Sequence, residues 1–126
     1  MTDKAKKKIL IVDDEVNVCK SIRQALICDE YEIDTALSGE EALKKEGEKI
    51  YDVFVVDLMM PGISGLELLQ SLRSKNPEAR VIIVTGYPTS KNTVQSMQLG
   101  AFDYLPKPFL PSDLRSLIAR AVEAKE

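Results

Sequence analysis

The run Val53-Phe54-Val55-Val56 is wholly apolar, rich in β-branched residues, and stops at Asp57. So short a stretch, apolar on both alternating faces, suits a strand buried on both sides of a parallel sheet. A carboxylate closing such a strand is costly to ionise unless a positive or hydrogen-bonding group meets it. Met60-Pro61-Gly62 then imposes a turn, because proline presets φ and glycine accepts positive φ. Asp57 is therefore expected where a strand stops and a loop opens. In open α/β sheets that carboxyl edge is where ligands and chemistry collect.

The same pattern recurs along the chain. Ile9-Leu10-Ile11-Val12 runs into Asp13-Asp14-Glu15, and Val81-Ile82-Ile83-Val84 runs into Thr85-Gly86. Ala101 to Leu105 reads as a strand followed by Pro106-Lys107-Pro108, and Glu32 to Ala36 as a short strand with Ile33 and Thr35 alternating.

Helices are expected between these strands. The first has Val16, Cys19, Ile22 and Leu26 spaced to face a core, and would carry Cys28 as well. Ser38 to Glu41 and Ser64 to Glu67 match capping boxes. The helix after Ser38 is expected to reach about Lys45, with Gly47 as its stop; the one after Ser64 buries Leu68, Leu69 and Leu72 and ends at Asn76-Pro77. Ser90 to Leu99 is helical in spacing but polar, with Val94, Met97 and Leu99 to pack and Gly100 to close it. That helix should be the least firmly held. A last helix starts near Pro111 with Leu114, Leu117, Ile118 and Ala121 as its buried stripe. Five alternations of strand and helix imply an α/β fold, a five-stranded parallel sheet with helices on both faces.

With 126 residues the chain makes one domain, residues 1–126, with residues 1–7 expected as a flexible leader. Net charge is −3, which argues against direct nucleic-acid binding, and the Lys4, Lys6, Lys7, Lys8 run reads as solvated leader. No apolar stretch reaches membrane-spanning length, and the Lys-rich start without an apolar core is not expected to be a signal peptide, so a cytoplasmic location is expected. Cys19 and Cys28 are nine positions apart, which puts them on opposite faces of a helix and argues against a redox pair. Histidine is absent, which removes imidazole bases, Ser-His and Cys-His nucleophile pairs, and most zinc sites.

Parallel strands put their carboxyl ends on one edge. Asp13, Asp14, Asp57, Thr85 and Lys107 should therefore meet there. Asp13-Asp14 alone suits a helix N-terminus, Thr85 a plain strand end, and Lys107 a solvated loop charge. Arrival of all five at the ends of four strands favours a shared site. Crowded carboxylates repel, and a divalent cation relieves that repulsion. Oxygen ligands suit Mg²⁺, which favours sites shared with a phosphate, and a neighbouring lysine can hold an anionic group. These are the parts needed for phosphoryl transfer onto an aspartate.

The segments Ile9 to Glu15, Val56 to Gly62, Val84 to Gly86 and Tyr104 to Phe109 together resemble receiver domains of two-component response regulators. The resemblance spans essentially the whole chain. It implies a flavodoxin-like arrangement with strand order 2-1-3-4-5. It also implies that Asp57 accepts a phosphoryl group from a phosphohistidine on a sensor histidine kinase or phosphotransfer protein. Asp14 and Asp57 would ligate Mg²⁺ with the Met59 backbone carbonyl, and Asp13 would act through water. Lys107 would pair with the phosphoryl oxygens, its bond to Pro108 cis. Thr85 would hydrogen-bond the phosphoryl group, and Tyr104 would follow from an exposed to a buried rotamer.

Phosphorylation adds roughly 1.5 to 2 negative charges plus acceptor oxygens. Moving a domain from mostly off to mostly on takes on the order of 5 kcal/mol, which a metal, one charge-assisted contact and one hydrogen bond can supply. The face around residues 86–124 would change and control a partner or output domain. A homodimer through the last two helices and the fifth strand is a further expectation. The domain would act on itself alone, taking up phosphate and losing it slowly. Met59 and Tyr87, two positions past Asp57 and Thr85, offer no carboxylate or amide to orient a hydrolytic water. The phrase from Gly100 to Phe109 looks most like receivers of the nitrogen-regulation type.

Two rival readings compete. A Mg²⁺-dependent phosphatase or phosphotransferase of the haloacid-dehalogenase type wants a second acid where Met59 stands. A flavodoxin-like cofactor binder wants a glycine-rich loop where acids follow the first strand.

Overall fold

A computed structural model describes residues 6–123. Five strands alternate with five helices: β1 Lys7–Val12, α1 Val16–Leu26, β2 Tyr31–Ala36, α2 Gly39–Glu48, β3 Val53–Asp57, α3 Gly65–Lys75, β4 Arg80–Thr85, α4 Ser90–Gln98, β5 Asp103–Pro106 and α5 Pro111–Glu123. Every strand pairing is parallel, in the order β2-β1-β3-β4-β5. The fold class and strand order are those expected from the sequence.

The apolar runs bury two faces at once. Leu10, Val12, Phe54, Val56, Val81 and Ile83 point to one side, where α3 adds Leu68, Leu69 and Leu72. Ile9, Ile11, Val53, Val55, Ile82 and Val84 point to the other, against Cys19, Ile22 and Leu26 of α1 and the α5 stripe. This two-sided burial is why the central strands carry polar residues only at their ends.

Register fixes the carboxyl edge. Val12 lies opposite Val56, Asp57 opposite Val84, and Thr85 opposite Pro106. The residues that follow Val12 and Pro106, and those that end β3 and β4, therefore come out at one level.

Several expectations need correction. Lys7 belongs to β1 and so cannot be part of the expected leader; residues 1–5 lie outside the described residues. Val16 is 48% exposed because it stands at the first turn of α1, beyond the sheet edge. Cys28 lies past the end of α1 and is exposed, so helical spacing does not relate it to Cys19. Gly47 does not stop α2, which runs on to Glu48; a glycine with open space about it is tolerated there. Only half of the capping box at Ser38 forms, since Glu41 Oε1 accepts from the Leu37 amide instead of the Ser38 amide. The box at Ser64 is complete. In α4 the buried residue is Ser96, while Val94 and Met97 face outward. The fifth strand begins at Asp103, after Gly100 and Ala101 have closed α4.

Candidate functional site

Three carboxylates gather at the carboxyl edge. Asp13, Asp14 and Asp57 each offer an oxygen within 4.8 Å of the others. Asp13 and Asp57 are buried and Asp14 is exposed, so the cluster opens to solvent on one side. Lys107 reaches in from the loop after β5: its Nζ lies 3.3 Å from Asp13 Oδ2 and 3.7 Å from Asp57 Oδ1. One ammonium thus faces three acids.

Backbone geometry holds Asp13 and Asp57 in place. Asp13 Oδ1 accepts from the Glu15 amide at 2.9 Å, folding the carboxylate over the first turn of α1. Its amide donates to the Ala36 carbonyl, tying the end of β1 to that of β2. Beneath it, the Cys19 thiol donates to the Asp13 carbonyl at 3.4 Å. Burial, helped by the charge of Asp13, pushes that thiol up to about 11, so the sulfur stays protonated as a donor to the backbone. On the other side, Leu58 donates to the Val84 carbonyl and Gly65 donates to the Leu58 carbonyl, closing the loop after Asp57.

Asp57 is electrostatically unsettled. Desolvation first, with the charges of Asp13 and Asp14, raises its carboxyl to about 6, and Lys107 with a Met59 backbone hydrogen bond offsets them only in part. A buried acid that one lysine cannot fully compensate calls for more positive charge. Nitrogen and sulfur ligands are absent from the cluster, so the donor set is hard oxygen alone and fits a cation such as Mg²⁺.

Thr85 and Tyr104 complete the neighbourhood. Thr85 is fully buried, and its Oγ1 accepts the Tyr87 amide at 3.0 Å, which leaves its own proton free to be donated. Its carbonyl accepts from the Lys107 amide at 2.7 Å, which ties the end of β4 to the loop that carries the lysine. The Lys107–Pro108 peptide bond is cis. Tyr104 is half-buried with its hydroxyl already enclosed, packed against the α3 side of the sheet. Met59 and Tyr87 are 57% and 73% exposed at the rim.

The structure thus brings Asp13, Asp14, Asp57 and Lys107 into one cluster, and sets Thr85 beside it by way of Lys107. Two supporting groups, the Glu15 amide and Gly65, were missed from sequence. Both act through backbone, which no side-chain motif announces. The one available signal was a glycine inside a capping box, where helix initiation does not require it.

Comparison with known proteins agrees with this geometry. The family model for the response regulator receiver domain matches residues 9–119. The transcriptional regulatory protein ResD of Bacillus subtilis is 38% identical over 118 residues, covering 90% of this chain and 49% of its own length. The alkaline phosphatase synthesis regulator PhoP of the same species is 33% identical, covering 95% of this chain and 50% of its own. The chain therefore spans about half the length of these curated relatives. A CheY-like receiver from Methanospirillum hungatei superposes with a TM-score of 0.90 at 34% identity, covering 94% of this chain and 95% of that one. Among the described residues no helix is long and apolar enough to cross a membrane. With the fold, the acidic edge and the family match in agreement, this chain belongs to the receiver-domain family of two-component response regulators.

Proposed function

We propose that this domain is a signalling switch that takes a phosphoryl group onto Asp57 from a phosphohistidine on a sensor kinase or phosphotransfer protein. The observation that carries this reading is Lys107 Nζ standing between Asp13 and Asp57 at the mouth of a three-carboxylate cluster. An Asp57 oxygen attacks phosphorus as the phosphorus–nitrogen bond breaks, and the imidazole leaves and takes up a proton. Lys107 turns from the carboxylates to the incoming phosphoryl oxygens, a charge-assisted contact. Thr85, with its proton uncommitted, donates to the same group.

Asp14, Asp57 and the Met59 backbone carbonyl would hold Mg²⁺, with Asp13 acting through water. A bound Mg²⁺ supplies charge neutralisation at the transferring oxygens. The donor set supports this ligand assignment; Asp57 must be ionised to act as a nucleophile, and its tendency to hold a proton is what added positive charge reverses.

An apolar groove of about 430 Å³ lies beside Lys107, lined by Val18, Ile22 and Ala25 of α1 and by Pro108, Phe109 and Pro111. It suits the side of a donor protein whose histidine must reach Asp57. The output face is read as α4, β5 and α5, where Val94 and Met97 are exposed and Arg120 pairs with Asp103 at 3.6 Å. A homodimer through these elements, or an adjoining output domain, would use it. The domain is read as one unit that catalyses only its own phosphorylation and slow dephosphorylation.

Incubation with acetyl phosphate and Mg²⁺ tests the reading. A one-to-one adduct that is lost in Asp57→Asn is expected. Continuous release of inorganic phosphate well beyond one equivalent would instead favour a phosphatase.

A further inference from the structure

Helix α4 is packed with its polarity reversed. Ser96 is fully buried, whereas Val94 and Met97 are 54% and 46% exposed. The Ser96 hydroxyl makes no hydrogen bond to a protein group, and neither does the enclosed hydroxyl of Tyr104 on β5, the strand against which α4 packs. A serine inside a helix can settle its hydroxyl on the carbonyl one turn back. Thr93 in the same helix does so, donating to the Thr89 carbonyl at 2.9 Å. Ser96 does not.

Its position sharpens the anomaly. The helix closes through Gly100 at φ +98, with the Gly100 amide donating to the Met97 carbonyl at 3.1 Å and the Ala101 amide to the Ser96 carbonyl at 3.0 Å. In this type of closure the residue that lends the last carbonyl commonly packs an apolar side chain against the residue that reaches back to it. Here that pair is Ser96 and the buried Ala101. The Ser96 backbone is therefore committed to the closure, while its side chain places a hydroxyl where a methyl group would suffice.

We propose that Ser96 is a built-in destabiliser of the α4–β5 layer, its hydroxyl together with that of Tyr104 setting how readily α4 lifts from the sheet. The inference rests on the switch reading above, in which this layer is remodelled. A buried hydroxyl without a partner regains hydrogen bonds only when water reaches it, so its cost weighs against the closed arrangement and not the open one. Little apolar burial offsets that cost: Leu99 is half-buried and the other large apolar residues of α4 face outward.

Amide hydrogen exchange of the unphosphorylated protein tests the proposal in Ser96→Ala, Tyr104→Phe and, as a control for helix propensity alone, Gln98→Ala at an exposed position. Removing one unsatisfied hydroxyl should slow exchange across residues 90–98 about tenfold in Ser96→Ala, with Tyr104→Phe moving the same way. Gln98→Ala should change it less than about threefold. Exchange unchanged or faster in both hydroxyl variants would overturn the proposal, since the hydroxyls would then be satisfied where they lie. Slowing in Tyr104→Phe alone would overturn the role of Ser96. Acetyl phosphate uptake is measured in parallel; its absence from the unsubstituted protein would count against the switch reading without touching the exchange result.

Discussion

Gly65 is pressed against Asp57: a Cβ on Gly65 would stand 2.5 Å from the Asp57 carbonyl oxygen and 2.6 Å from Leu58 Cα. Both neighbours are backbone, so neither can swing aside. Gly65 donates to the Leu58 carbonyl at 3.0 Å, and this close approach shapes the loop that presents Asp57 and Met59. Gly65→Ala must push the loop off the end of β3. A loss of about 1–3 kcal/mol in urea unfolding is expected, the size of an overpacked core. Phosphoryl uptake should slow more than stability alone would explain, because Asp57 itself moves. Wild-type uptake in a folded Gly65→Ala protein would contradict this.

Without a divalent metal, Asp57 should make the protein more stable at mildly acid pH. Its carboxyl is raised from 3.8 to about 6, chiefly by burial, so the folded state holds the proton more tightly than the unfolded one. That contribution is fully present below about pH 4 and is lost as pH rises through about 6. The loss is on the order of 3 kcal/mol. Glu32 is shifted downward through Lys49, and Asp34 downward against its own burial through Tyr51 and then Lys49, so both move away from the range in which Asp57 titrates. Thermal unfolding in EDTA should therefore show a falling midpoint from pH 5 to pH 8. Mg²⁺ should remove the fall, and Asp57→Asn should flatten it. A midpoint that rises with pH in EDTA would contradict the assignment.

The phosphorylated domain should lose its label over minutes or longer. Met59 and Tyr87 stand exposed at the rim and carry no carboxylate or amide to orient an attacking water. Met59→Asn adds such a group and should speed the decay roughly tenfold or more. Label lost within seconds from the unsubstituted protein would refute the prediction.

The central strands were legible because burial on both faces leaves room only for apolar residues: Ile9 to Val12, Val53 to Val56 and Val81 to Val84 announce themselves. Spacing failed where an element's end or a neighbour decides the outcome. Val16 has the right period but projects past the sheet. Ser96 has the wrong polarity but sits on the face that the closure at Gly100 turns inward. Convergence of Asp13, Asp14, Asp57 and Lys107 was legible because parallel pairing leaves their strand ends only one edge to share. Gly65 and the Glu15 amide stayed hidden, since their work is done by backbone atoms common to every residue.

The most direct measurement is the intact mass of the chain after acetyl phosphate treatment, with Mg²⁺ and with EDTA, in the unsubstituted protein, Asp14→Asn and Asp57→Asn. One added phosphoryl group is expected only with Mg²⁺ and only where Asp57 is intact, with uptake by Asp14→Asn reduced at least about a hundredfold. Equal uptake in EDTA, or an adduct that survives Asp57→Asn, would contradict the proposal that the gathered carboxylates and their metal make Asp57 the acceptor.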